Sequence, residues 1–409
     1  MTNEEINLLS HENEDYIIAC RRKIHQLAEL GSQEFETSAF IEAQAKEMGL
    51  PVEKVGNTGL ILTLDTGIEG AHIALRADID ALPMRENPEN LKGARSCVSQ
   101  NPETCHACGH DAHSAMLLGA AKALSQVKDK LTGVIYFCFE EAEEIGGGVL
   151  FMLEALSKRR VDTCWAIHVY SQLDSGKISL QGGARMAGAA GIQLTFIGRG
   201  GHGGRPDLSI NPIFCASGFL NQLTSAFENQ IDANQRVTLG VTMFKAGTNG
   251  NVIPDTAEIG GSMRFFDPAE GEKAVAIVKK TAEHVAAIHN CQVEYGPLMN
   301  VLCGPVINDP QLAELASAQL SQLLPEGSVT NCERWYASES YWRWLRKYRG
   351  ILAFLGINNP QYGSGAAHHN DRFDVDEGVL SLGLAATLKY VLTYSENYDT
   401  LKTEVNNEI

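Results

Sequence analysis

The sequence is short of positive charge and has no long apolar run. Its 33 lysines and arginines stand against 50 aspartates and glutamates, a formal net charge of −17. Nucleic acid and anionic membrane surfaces call for clustered cations, so both are disfavoured as partners. The acidic excess argues for solubility and for no particular substrate. No stretch is apolar over the length of a membrane span. Met1 to Asp15 is polar and acidic, unlike a secretory signal peptide. Internal repeats and low-complexity tracts are missing. The ten cysteines lack regular spacing, and Cys138, Cys164 and Cys215 sit in apolar runs. Reduced thiols and a cytoplasmic location are therefore expected. What remains is 409 residues of ordinary apolar content, too long for one core and typical of two domains.

The chemistry gathers in Cys105-His-Ala-Cys-Gly-His-Asp-Ala-His113, directly before an apolar helical run from Ala115 to Leu124. Thiol and imidazole ligands ahead of a helix describe a metal site better than a core. Cys105-x2-Cys108 alone could be half of a structural zinc knuckle, but the chain has no second Cys-x2-Cys. A redox pair would need a thioredoxin-like unit around it, and none is recognisable.

In chain order, residues 14–30 and 37–48 read as helices, and 59–65 and 72–76 as strands. The second strand runs into Asp78 and Asp80. These are either functional groups at a strand end or turn residues bonded to their own backbone. The run 133–139 reads as a buried parallel strand and ends in Glu140, Glu141, Glu143 and Glu144. Such a cluster is ordinarily a solvated charge run. At the ligand end of a parallel strand it needs a cation, and a metal pair would supply one. The strand 163–169 carries His168 among apolar neighbours, where a core histidine is the ordinary reading; its place after the glutamates favours a ligand. From residue 190 the grammar becomes β-α-β-β-α-β, a split βαβ plan, and α/β features then resume. The fold class is α/β: a larger domain with a mostly parallel central sheet, interrupted by a smaller α+β, ferredoxin-like domain. The boundaries are 1–186 and 301–409 for the first, and 187–300 for the second.

Five segments then carry a resemblance. They are Arg76-Ala-Asp-Ile-Asp-Ala-Leu-Pro83, His106-Ala-Cys-Gly-His-Asp-Ala-His113, Ala142-Glu-Glu144, Asn251-Val-Ile-Pro254 and His368-His-Asn-Asp-Arg-Phe373. In order and spacing the chain resembles the aminoacylase, hippurate hydrolase and auxin-conjugate hydrolase branch of the dinuclear zinc/manganese metallopeptidases. The resemblance implies two divalent ions per subunit, Mn(II) or Zn(II), held by Cys108, His110, Glu144, His168 and His369. It implies Glu143 as general base, Asp78 as a supporting carboxylate and His202 as a lid histidine serving the partner subunit's active site. Asn251 and Arg264 match positions that contact substrate. The implied molecule is a homodimer joined through the lid domain, and the implied reaction is hydrolysis of an N-acyl amino acid or a related small amide with a free carboxylate. A dipeptidase or carboxypeptidase on the same scaffold is the alternative. A non-catalytic dimeric binding protein would have lost a ligand or the base, and every such position is occupied.

One departure stands out. Ser338-Glu-Ser-Tyr341 replaces the Ser-Glu-Asp-Phe of many relatives and removes an acid at Ser340. The stretch from Trp335 to Tyr348 is rich in aromatic and basic residues, and it reads either as pocket lining or as a surface helix packed through its tryptophans.

Overall fold

The structure, a computed structural model, describes residues 1–405. Three helices open the chain: α1 (Asn3–Glu12), α2 (Glu14–Leu27) and α3 (Phe35–Glu47). Thr2 starts α1 with a capping box, its side chain accepting from the Glu5 amide while Glu5 reaches back to Thr2. Then come β1 (Val52–Val55), β2 (Gly59–Asp65), β3 (His72–Asp78), α4 (His110–Gln126), β4 (Val134–Glu140), α5 (Val149–Ser157), β5 (Thr163–Asp174) and β6 (Ile178–Ser179). The strand β7 (Gly183–Met186) lies at the first boundary between two compact units. The second unit holds β8 (Gly188–Ile197), β9 (Gly201–His202), α6 (Pro212–Gln230), β10 (Val237–Ala246), β11 (Val252–Ile253), β12 (Thr256–Phe265), α7 (Pro268–Ile288), β13 (Gln292–Tyr295) and β14 (Val301–Cys303). After β15 (Val306–Asn308) the chain continues with α8 (Pro310–Leu323), α9 (Trp342–Leu345), β16 (Gly350–Asn358), α10 (Leu380–Glu396) and α11 (Tyr398–Val405).

The first unit is built on a seven-stranded sheet in the order β1-β2-β4-β3-β5-β16-β6. Its middle, β4-β3-β5-β16, is parallel, and β1, β2 and β6 join antiparallel at the margins. Val134–Glu140 is buried from Ile135 onward, as a strand covered on both faces must be. In the pairing register Asp78 stands opposite Glu140, so two acids leave the sheet side by side.

The helix α4 is buried from His110 through Ala121 and packs against α2 and α10. It starts five residues before the apolar run, because Gly109 takes a left-handed turn (φ 89°) that aims the chain into the helix at His110. A Cβ at Gly109 would also stand 2.3 Å from Val169 Cγ2, so both conformation and space call for glycine.

The second unit has a sheet in the order β10-β12-β8-β13, wholly antiparallel, with β14 also on β8 and both long helices packed against it. Its own apolar core includes Phe196, Phe219, Ile259 and Phe265. The unit comprises Ala184–Ile307 and Arg334–Trp342. That is wider than the 187–300 read from the sequence, since Val301 and Cys303 hydrogen-bond along β8. No helix among the described residues is long and apolar enough to cross a membrane.

A Cβ at Gly119, in the middle of α4, would fall 2.6 Å from Cγ1 of the fully buried Ile17 on α2. Gly119→Val should therefore destabilise the protein by about 1–3 kcal/mol through overpacking. Gly93→Ala, where the added carbon meets open space, should stay within about 0.5 kcal/mol. Thermal unfolding of the two variants side by side checks this, and equal midpoints would refute the close α2–α4 packing.

Candidate metal centre

The four neighbouring glutamates have separate fates. Glu140 ends β4 inside the core, accepting from Arg76 Nη2 (2.8 Å) and from the indole N–H of Trp344 (2.8 Å). Glu141 accepts from the Gly59 amide (3.0 Å), the Thr58 hydroxyl (2.8 Å) and the Thr58 amide. Ala142 then takes a left-handed conformation, φ 53°, unusual for a residue with a side chain. Its N–H donates to Glu34 Oε1 at 2.8 Å, which helps hold the turn. Past that turn Glu143 and Glu144 point to a different place, beside His110.

The tautomers of the histidines follow from their partners. His110 Nδ1 donates to the Asp80 carbonyl (3.0 Å) and to Asp80 Oδ1 (3.1 Å). His168 Nδ1 donates to the Val169 carbonyl (2.7 Å). In its neutral form each ring then has its lone pair on Nε2, and such support through the far nitrogen is how proteins orient metal-binding imidazoles. Asp80 Oδ2 accepts the Glu144 amide at 3.0 Å, so one carboxylate positions both His110 and Glu144. His113 has no spare nitrogen: Nδ1 donates to Asp78 Oδ1 (2.6 Å) and Nε2 accepts from the Val169 amide (2.9 Å). Proximity groups it with Asp78 and His110, but chemistry removes it from any ligand set.

The remaining donors converge. Cys108 Sγ is 3.7 Å from His168 Nε2, and Glu144 Oε1 is 3.3 Å from His369 Nε2 and 3.8 Å from His110 Nε2. Cys108, His110 and His168 form one close group, and Cys108, Glu144 and His369 another, with Cys108 common to both. Two donors bound to one ion at about 2.0–2.3 Å and a tetrahedral angle stand about 3.3–3.8 Å apart, close to these separations. His110 Nε2 and Glu144 Oε1 are buried and make no hydrogen bond, an arrangement that costs free energy unless a cation lies between them. Burial, with neighbouring histidines, holds the His168 imidazole well below its ordinary pKa, hence neutral as a ligand must be. Burial and then Glu144 push the Cys108 thiol well up, so a thiolate here needs a cation to draw the proton off. The donor set fits a pair of divalent ions.

His369 has φ 60° and its side chain is half exposed; its N–H donates to the Ala107 carbonyl at 2.9 Å. That bond joins its loop to the residue before Cys108. His368 instead faces the core, with Nε2 accepting from the Ser171 amide (3.2 Å) and its ring against His168 and Phe373.

The structure thus gathers Cys108, His110, Glu143, Glu144, His168 and His369 in the first unit. Asp78 sits beneath them, 3.7 Å from His110 Nε2, bound to Arg76 and His113. In the second unit β9 pairs with β11, setting His202 opposite Val252, next to Asn251. His202 Nδ1 accepts from the Gly204 amide at 3.0 Å. Arg264 lies on β12 opposite Ala189, its amide donating to the Thr238 hydroxyl. Sequence reasoning left Asp80 open and passed over Arg76 and His113. The signal for Asp80 was its spacing of two from Asp78 at a strand end. Of the stretch from Trp335 to Tyr348 only Trp342–Leu345 is helical, and Trp344 is fully buried against Glu140.

A parallel sheet delivering thiol, imidazole and carboxylate donors to one point is the plan of a metal-dependent hydrolase of amide bonds. Residues 74–393 match Peptidase family M20/M25/M40, and the chain belongs to that family. It is 34% identical over 390 residues to thermostable carboxypeptidase 1 of Saccharolobus solfataricus, covering 94% of this chain and 96% of that one. To the N-acyl-L-amino acid amidohydrolase of Geobacillus stearothermophilus it is 35% identical over 297 residues, 72% of this chain and 79% of the relative. A crystal structure of a dinuclear metal-binding peptidase of the M20 family from Bacillus subtilis superposes with a TM-score of 0.81 at 28% identity, over 94% of this chain and 99% of the other.

Cys108→Ala should lower metal content, measured by elemental analysis after dialysis. Full occupancy would remove Cys108 from the ligand set. Asp80→Ala should weaken metal affinity about 10–100-fold, the usual cost of losing a group that orients a ligand.

Proposed function

We propose that this chain hydrolyses the amide bond of N-acyl amino acids, or of related small amides with a free carboxylate. The observation that carries the reading is the turn at Ala142, which sets Glu144 against His369 and His110 while Glu143 stays within the same group of donors. Adjacent glutamates would then divide the work, one as ligand and one as base.

Cys108, His110, Glu144, His168 and His369 would hold two divalent ions, Mn(II) or Zn(II). Bound there, the ions supply Lewis acidity, lowering the pKa of a water and polarising the scissile carbonyl. Glu143 takes the proton from the water as its oxygen attacks the carbonyl carbon. It then delivers that proton to the amine nitrogen as the C–N bond breaks. His202, as a lid histidine serving the partner subunit's active site, would donate a hydrogen bond to the oxygen that gains charge there, and Asn251 and Arg264 would contact substrate, the guanidinium facing its carboxylate. Asp78 anchors His113 beneath His110 and so keeps the floor of the site in place. The glycines flanking His202 suit a lid that closes on substrate. The second unit is that lid and joins two subunits as a homodimer, in a cytoplasmic enzyme.

The carboxypeptidase of Saccharolobus solfataricus supports a second reading, cleavage of a peptide bond next to a free carboxylate on the same scaffold. Metal-stripped protein, with Mn(II), Zn(II) or nothing added back, should be assayed on a panel of N-acyl amino acids and dipeptides. Amine release from acyl amino acids only with metal is expected, and activity confined to peptides would establish the alternative. Glu143→Gln should lower kcat about 10²–10⁴-fold, the usual worth of a general base, with metal content near that of the parent. Unchanged turnover would sink Glu143 as the base.

A further inference from the structure

Beneath the donor cluster lies a second buried assembly that takes no part in the chemistry above. Its centre is Arg21 on α2, whose side chain is 1% exposed. The guanidinium reaches three acids from two distant parts of the chain. Nε donates to Asp111 Oδ2 (2.7 Å), Nη2 to Asp374 Oδ1 (3.2 Å) and Nη1 to Glu377 Oε1 (3.3 Å). Asp111 follows His110 in the first turn of α4, and Asp374 closes the loop that begins with His368 and His369. Around this fork, His25 bridges Asp111 Oδ2 and Glu86 Oε1, each at 2.8 Å. Arg95 lies 3.2 Å from Glu86 and donates to the carbonyls of Asp371 (2.8 Å) and Phe373. Arg22 completes the group on Glu377 at 2.6 Å.

An apolar plug of equal volume would stabilise such a place as well or better, because each buried ion loses its hydration. What charge adds here is direction. A planar fork satisfied by carboxylates from α4 and from the 371–377 segment fixes the distance and angle between the two. Each segment adjoins ligands for the centre above: Cys108 and His110 lie at the start of α4, and His369 lies two residues before the other segment.

We propose that Arg21 is a positioning residue for the metal centre, holding the start of α4 and the His369 loop in one register so that Cys108, His110 and His369 converge. The inference rests on the ligand reading in Proposed function. His25 and Arg95 support the fork by holding Asp111 and the loop backbone from their outer sides. Lysine cannot replace Arg21, since a single ammonium reaches fewer of the three acids and lacks the planar geometry.

The test is titration of metal-free protein with Co(II), following the visible bands and the thiolate-to-cobalt charge transfer that reports Cys108. The unsubstituted protein should bind two equivalents with that band, and Cys108→Ala should lose it. Arg21→Lys, shown to be folded by circular dichroism at the titration temperature, should bind both equivalents about 10–100-fold more weakly with altered bands. Asp374→Asn, which loosens only the hold on the His369 side, should weaken one equivalent and leave the other. A purely structural Arg21 would lower the unfolding temperature while the folded protein kept its Co(II) affinity and spectrum, and that result overturns the proposal. Should Arg21→Lys not fold, unchanged affinities for both equivalents in Asp374→Asn overturn it equally. Failure of the unsubstituted protein to bind Co(II) would instead refute the ligand assignment itself, and the positioning role with it.

Discussion

The structure depends on how negative charge is compensated where β3 and β4 leave the sheet. Asp78, Asp80, Glu140, Glu141, Glu143 and Glu144 crowd that edge, several of them fully buried. Carboxylates so placed repel one another and have lost most of their hydration, so each must find a donor or take up a proton. Arg76 serves Asp78 and Glu140 together, at 2.7 and 2.8 Å. Backbone amides and the Thr58 hydroxyl serve Glu141, while Asp80 takes the His110 imidazole and the Glu144 amide. With those pairings made, Glu144 Oε1 and His110 Nε2 face each other without a hydrogen bond. A divalent cation between them would close the balance and tie the stability of the edge to the proposed hydrolysis.

The same pairings make the centre selective in its use of residues. Four histidines, His110, His113, His168 and His368, lie close together under the site. Hydrogen bonds at Nδ1 turn His110 and His168 into donors at Nε2, and two bonds on His113 silence it. His368 is spent on the Ser171 amide, leaving its neighbour His369 to face Glu144. Which imidazole can bind a metal is thus decided by what holds its other nitrogen.

Much of this was legible in the chain. Strands such as Gly59–Asp65 and helices such as Val149–Ser157 follow from apolar period and flanking glycine, which act over a few residues. The insertion was readable because β-α-β-β-α-β grammar differs from strand–helix alternation. The motif around Cys108 announced a metal site, since thiol and imidazole donors at that density have few other uses.

Pairings across long stretches of chain were not legible. Nothing near Glu140 says that its charge will rest on Arg76 and on the indole of Trp344, more than 200 positions later. The stretch from Trp335 to Tyr348 reads either as pocket lining or as a surface helix packed through its tryptophans; a short helix packs Trp344 into the core, and no local pattern names Glu140 as its partner. Nothing in the helical pattern of residues 14–30 marks Arg21 and His25 as the partners of Asp111, or Arg21 as that of Asp374. Local order and the identity of the chemistry are set by short-range sterics and residue type, which a sequence states outright. The choice of partner for each buried charge is a long-range electrostatic decision, made only when the chain has folded and water has left.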